Sequence, residues 1–180
     1  FNELNLDATK RTVLVSYHPV TLEFEVPLKT QLENLFKALA LFDFQIVITA
    51  PSVEADRDSL VSYQRRQAAQ NRDTHFFDSL GFHRYHSLMT CCELVVGNSS
   101  SGISEAPYFK IPTVNIGSRQ KGRIRHQSVV DTGYSAESIS AGIAKALDKD
   151  FRDSIRNMEY KFGDGRAAEK IVKVIRKTSV

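Results

Sequence analysis

Two spacings of apolar residues alternate along the chain. Short β-branched runs at 12–17, 44–49, 74–77, 94–96 and 112–117 read as buried strands, and a weaker one lies at 127–130. Between them, apolar positions recur at helical intervals. After Pro27, a residue suited to a helix start, Leu28, Leu32, Leu35, Phe36, Leu39 and Phe42 form one face. A polar helix over 55–70 directs Leu60, Val61 and Tyr63 inward, and a helix over 83–92 does the same with Tyr85, Leu88 and Met89. Ser135 caps a helix with Ile139, Ile143, Ala144 and Leu147 on its inner side, and a short helix follows over 151–157. A Gly-Asp-Gly turn at 163–165, with Asp164 as the N-cap, leads to a last helix expected to bury Ile171, Val172 and Ile175. Residues 1–10 read as a polar, frayed lead-in. Strands alternating with helices predict an α/β fold, a doubly wound parallel sheet covered on both faces, with 1–180 as one domain.

The stretch 94–125 holds the densest chemistry. A strand runs into Gly97-Asn98, which is turn chemistry, and Ser99-Ser100-Ser101-Gly102 opens a helix expected to reach Phe109 unless Pro107 shortens or kinks it. Small residues at a strand-to-helix turn leave backbone N–H groups aimed outward, an arrangement that attracts an anion. Glu105, in the second turn, is placed to accept hydrogen bonds from a vicinal diol such as a ribose. The next strand ends at Gly117, and Arg119, Lys121, Arg123 and Arg125 follow it as four cations within seven residues. Two successive strand ends thus present an anion cradle and a cationic loop at the edge where open α/β sheets bind ligands. Each half alone also has a plainer reading, a common turn and a solvated loop. His18, next to Pro19 at a strand end, is suited either to a diphosphate or proton-transfer role or to an ordinary turn. Leu80, Gly81 and Phe82 follow a strand and so lie at the same edge. There a backbone could read a nucleobase while a side chain covers its face, with loop packing as the alternative, and Tyr134 is placed similarly. His75, His83, His86 and His126 show no paired spacing and read as surface or packing residues.

Composition narrows the classes. The chain has 180 residues, 42% hydrophobic and 25% charged, with a net charge of +3, enough for one domain with a real core. No Cys/His spacing suits zinc, and no run reaches the roughly 18 apolar residues of a membrane span. Cys91 and Cys92 are adjacent and have no second pair, which points to a reducing, cytoplasmic setting without a signal peptide. The cationic loop lacks the interleaved aromatics of a nucleic-acid surface, so neither nucleic acid nor membrane is expected as a partner. A start at Phe1 without methionine reads as a piece of something longer.

The string GNSSSGISEAPYFKIPTVNIGSRQKGRIR, with SYHPVT upstream and FGDGRAAEKIV near the end, resembles the hydrolysing UDP-N-acetylglucosamine 2-epimerases, most nearly the type feeding sialic acid biosynthesis. The resemblance spans the chain from His18 to the last helix. It implies one half of a two-domain enzyme of the GT-B type, with this chain as the C-terminal, nucleotide-binding Rossmann-like domain and the N-terminal domain absent. It implies anti elimination of UDP, a 2-acetamidoglucal intermediate, and hydration to an N-acetylmannosamine-type sugar. Carried over by motif, Ser99 and Ser100, with Ser101 and Gly102, hold the diphosphate. Glu105 binds the ribose, Arg119 faces the phosphates or the sugar, and His18 is the active-site histidine. The family implies no cofactor and no metal, a UDP-sugar as ligand, and a homodimer for the full-length form.

One departure bears on the substrate. Many bacterial relatives continue the histidine with Arg-Glu-Asn, whereas Pro19-Val20-Thr21 stands here. The sugar therefore stays open between UDP-N-acetylglucosamine and a 4-amino-6-deoxy UDP-sugar, and a UDP-sugar glycosyltransferase of the same architecture is the alternative activity. No carboxylate pair is placed to remove the C2 proton. The base is thus expected in the absent half, and the fragment alone is expected to be inactive.

Overall fold

The computed structural model describes residues 1–20, 25–52 and 56–178. Six strands, β1 (Thr12–Ser16), β2 (Gln45–Thr49), β3 (Thr74–Phe77), β4 (Leu94–Gly97), β5 (Thr113–Ile116) and β6 (Val129–Thr132), form one sheet in the order β3-β2-β1-β4-β5-β6. Every pairing is parallel, and this is the doubly wound order, with the winding reversing between β1 and β4. Helices α1 (Leu28–Leu39), α2 (Arg57–Gln70), α3 (Gly81–Cys91), α4 (Ser101–Ser104), α5 (Ala136–Leu147), α6 (Lys149–Ile155) and α7 (Ala167–Lys177) connect or follow the strands.

The alternation inside each strand sorts its side chains to two cores. Val13 and Val15 of β1 pack with Leu32, Leu35 and Leu39 of α1 and Ile139 and Ile143 of α5. Leu14, between them in sequence, points the other way to Leu88 and Met89 of α3. β1, β2, β4 and β5 are buried along their whole lengths, as expected for strands covered on both faces.

Four expectations change. The lead-in is not frayed: Leu6 is buried, Phe1 and Leu4 pack on the α3 core, and the Asp7 N–H donates to Gln45 Oε1 at 2.8 Å. Ala144 faces outward, and the neighbouring Gly142, Ile143 and Ala146 carry the contact instead. Helix α7 forms, but Ile171, at 58% exposed, and Val172 and Ile175 are not covered by any element among the described residues. Its amphipathic pattern reports a face that can be buried, not a partner within this chain. Asp164 lies two residues before the N-cap position, which Arg166 holds. Its carboxylate accepts from the Arg166 N–H and from Lys170 Nζ, and those bonds hold its pKa down at about 2.

The helix after β4 is short, the first of the two outcomes Pro107 allows. Helix α4 ends at Ser104, the chain turns through 105–110, and Lys110 sits at φ 59°. Proline offers no N–H to continue the ladder. The Ala106 N–H reaches back to the Ser101 carbonyl and the Ile111 N–H to that of Ala106, so the backbone bonds close as wide turns.

Candidate functional site

The carboxyl ends of β1 and β4 lie side by side at the point where the winding reverses, which is where a crevice opens in this fold. Gly97 makes the approach possible. Its φ is 142°, and a Cβ there would stand 2.0 Å from the Ser16 carbonyl oxygen, a contact only glycine avoids.

The next residue, Asn98, is fully buried and joins three strand ends. Its Oδ1 accepts the His18 N–H at 2.7 Å and its Nδ2 donates to the His18 carbonyl at 2.8 Å, so both backbone groups after β1 are held by one amide. Its own carbonyl accepts from Arg119 Nη1 at 3.2 Å and from Gln120 Nε2 at 2.8 Å, both beyond β5. His18, the Ser99–Ser101 turn and Arg119 are thereby fixed to one rim. In the sequence Asn98 reads as turn and helix-cap chemistry, and nothing there singles out Gln120. A buried asparagine after a buried strand, which must satisfy its amide on neighbouring backbone, was the available signal.

The serines bond among themselves. Ser101 Oγ donates to Ser99 Oγ at 3.1 Å and shares a 2.7 Å bond with the Tyr85 hydroxyl, whose pKa burial pushes up. Gly102 serves packing: a Cβ there would meet Thr113 Cγ2 at 2.6 Å, and its carbonyl accepts from Thr113 Oγ1. Glu105 follows α4, and its Oε2 lies 2.7 Å from His86 Nε2. That contact revises the reading of His86 as a packing residue.

A cavity of about 390 Å³ opens beside these groups, lined by Ser99, Ser100, Ser101 and Glu105 and by Thr49, Ala50, Leu80, Gly81 and Phe82. It runs along the carboxyl ends of β2, β1, β3 and β4. Phe82 stands in the first turn of α3 rather than in a loop, 72% exposed at the cavity rim. His18, Gly102 and Arg119 do not line this cavity; Asn98 ties His18 and Arg119 to its serine end. Tyr134 instead covers Gly117, and Asn34 Nδ2 donates to its carbonyl.

Residues 158–161 brace the far side of the serine turn. The Tyr160 hydroxyl donates to the Ser104 carbonyl at 2.7 Å, and Lys110 Nζ donates to the Met158 carbonyl. His126 Nε2 accepts the Lys161 N–H at 2.9 Å, and its ring stacks on Tyr160 with centroids 5.2 Å apart. His126 is buried, which lowers its pKa. No cluster of His, Cys, Asp or Glu among the described residues is arranged to hold a metal. No helix among them is long and apolar enough to cross a membrane.

Sheet order, switch-point crevice and serine turn define a Rossmann-like, doubly wound α/β protein. The sequence profile described as UDP-N-acetylglucosamine 2-epimerase matches residues 2–176, and the chain belongs to that family. It is 35% identical over 175 residues to the GDP/UDP-N,N'-diacetylbacillosamine 2-epimerase (hydrolyzing) of Campylobacter jejuni, covering 95% of this chain and 44% of that protein. It is 27% identical to the polysialic acid biosynthesis protein P7 of Escherichia coli, over 93% of this chain and 43% of that one. A crystal structure of Methanocaldococcus jannaschii UDP-GlcNAc 2-epimerase with UDP-GlcNAc and UDP shares the fold at a TM-score of 0.75 and 18% identity, covering 98% of this chain and 47% of that one. The Rossmann-like fold thus matches about half of a GT-B-type chain, and this chain spans under half the length of these relatives.

Proposed function

We propose that this chain is the C-terminal, UDP-binding half of a hydrolysing UDP-N-acetylglucosamine 2-epimerase. The observation that carries the reading is the rim built on Asn98, which sets His18 and Arg119 beside the serine turn where a diphosphate would lie. The diphosphate takes the turn of Ser99, Ser100 and Ser101, with Gly102 letting that backbone seat on β5. Glu105 takes the ribose hydroxyls, and the Phe82 end of the cavity takes the uracil.

The chemistry follows from charge. Breaking the C1–O bond sends its electron pair to UDP, while the C2–H pair forms the C1=C2 double bond of the glycal and the C2 proton passes to a base. Water then adds its oxygen at C1 and a proton at C2. The leaving diphosphate gains negative charge, which Arg119 and His18 are suited to stabilise. Hydrogen bonds to charged groups contribute about 1.5–3 kcal/mol each. General base catalysis typically contributes about 10²–10⁴-fold. The base belongs, in this reading, to the half that the relatives carry and this chain does not. The whole enzyme would be a cytoplasmic homodimer, with no metal or cofactor in the reaction, supplying N-acetylmannosamine-type sugars to sialic-acid-like products.

A second substrate is favoured by one comparison, the 35% identity to an enzyme named for a diacetylbacillosamine. With Pro19 and Val20 after His18, a 4-amino-6-deoxy UDP-sugar is the alternative to UDP-N-acetylglucosamine. Incubating the whole enzyme with each UDP-sugar and resolving the products tests both. Free UDP with a free, 2-epimerised sugar is expected, and no turnover from the 180-residue chain alone. Sugar transferred intact to an acceptor would instead identify a glycosyltransferase, and turnover by the isolated chain would overturn the division of labour.

A further inference from the structure

We propose that His86 is a positioning residue for nucleoside recognition, fixing the Glu105 carboxylate so that it meets the ribose diol. The proposal rests on the reading of the cavity as a nucleotide site. Glu105 stands just past the end of a four-residue helix. There the backbone alone does little to restrain a long, flexible side chain. Among the described residues, the side-chain hydrogen bond that anchors it is the one to His86, at 2.7 Å. A carboxylate only accepts, so Nε2 carries the hydrogen and donates. One carboxylate oxygen is thereby occupied, and the other is directed for a ligand hydroxyl.

The imidazole is itself held. It meets Phe82 edge-on with centroids 4.2 Å apart and Phe109 at 5.6 Å. Phe109 packs into the core on the α3 face of the sheet, while Phe82 is exposed at the cavity rim. The ring therefore sits between a fixed wall and a side chain that a base would touch. His86 lies four residues after Phe82, so both project from one face of α3. One side chain thereby touches both the rim aromatic Phe82 and the Glu105 carboxylate. Pre-orienting Glu105 in this way spares the ordering of a rotamer-rich side chain on binding.

The test compares UDP with 2′-deoxy-UDP by calorimetry on the 180-residue chain and its variants. The unaltered chain is expected to prefer UDP by roughly tenfold, the scale of one charge-assisted hydrogen bond. His86→Phe keeps a ring between Phe82 and Phe109 but removes the donor. It should bring the preference to within about threefold of unity, weakening UDP more than 2′-deoxy-UDP, which keeps only the 3′ hydroxyl, and Glu105→Gln should do the same. His86→Gln, which restores a donor, should recover most of the preference. Full discrimination in His86→Phe would overturn the proposal. So would an equal loss for both ligands, the pattern of a merely structural residue. An unaltered chain that binds no UDP would remove the nucleotide reading itself, and that result is visible before any variant is made.

Discussion

At the scale of single residues, the clearest feature is that one buried amide organises the rim. Asn98 satisfies backbone groups of His18 and receives Arg119 and Gln120 on its carbonyl. The serines, His18 and Arg119 stand out in the sequence as candidates because they follow strand ends, and the structure ties them to one rim through Asn98. Asn98, Tyr85 and His86 do not, because their roles come from neighbours 16–80 residues away that only the fold brings close. His126 carries a pH prediction. Burial lowers its pKa below the ordinary histidine value of 6.5, so the unfolded chain binds its proton more readily than the folded one. Its contribution to stability is complete above pH 6.5 and is lost as pH falls through the lowered folded value. Urea midpoints measured from pH 7 downward should decline through that window. His126→Gln, which can still accept the Lys161 N–H, should flatten the decline. An unchanged slope would mean that the ring is not held in its neutral form.

At the scale of elements, the strands were readable almost to the residue because runs such as 45–49 and 94–96 are buried on both faces and carry no competing pattern. Boundaries moved where local signals conflicted. β6 starts two residues later than its apolar run suggests, and α3 starts at Gly81, at φ 65°, two residues before the expected start at 83. The last helix shows the limit of periodicity. Ile171, Val172, Val174 and Ile175 share an apolar stripe, yet all are exposed. Substituting Ile171→Lys and Ile175→Lys together should therefore leave the denaturant midpoint of the 180-residue chain within about 0.5 kcal/mol of the parent, the range of ordinary surface changes. A loss of several kcal/mol would show that α7 packs on this domain after all.

At the scale of the whole molecule, topology does the placing. A parallel sheet whose winding reverses between β1 and β4 opens a crevice at that point, and the loops that carry His18, the serines and Glu105 all issue at or beside it. The family and the half-length match were carried by the motif string. The identity of the sugar was not, because Pro19-Val20-Thr21 follows His18 where many relatives carry Arg-Glu-Asn; Thr21 lies outside the described residues. The central claim is that this rim grips a nucleoside diphosphate. Titrating UDP into the 180-residue chain, with Arg119→Ala and Glu105→Gln alongside, tests it most directly. The account predicts saturable binding that each substitution weakens by roughly tenfold. No saturable binding, or two variants that bind as tightly as the parent, would contradict it.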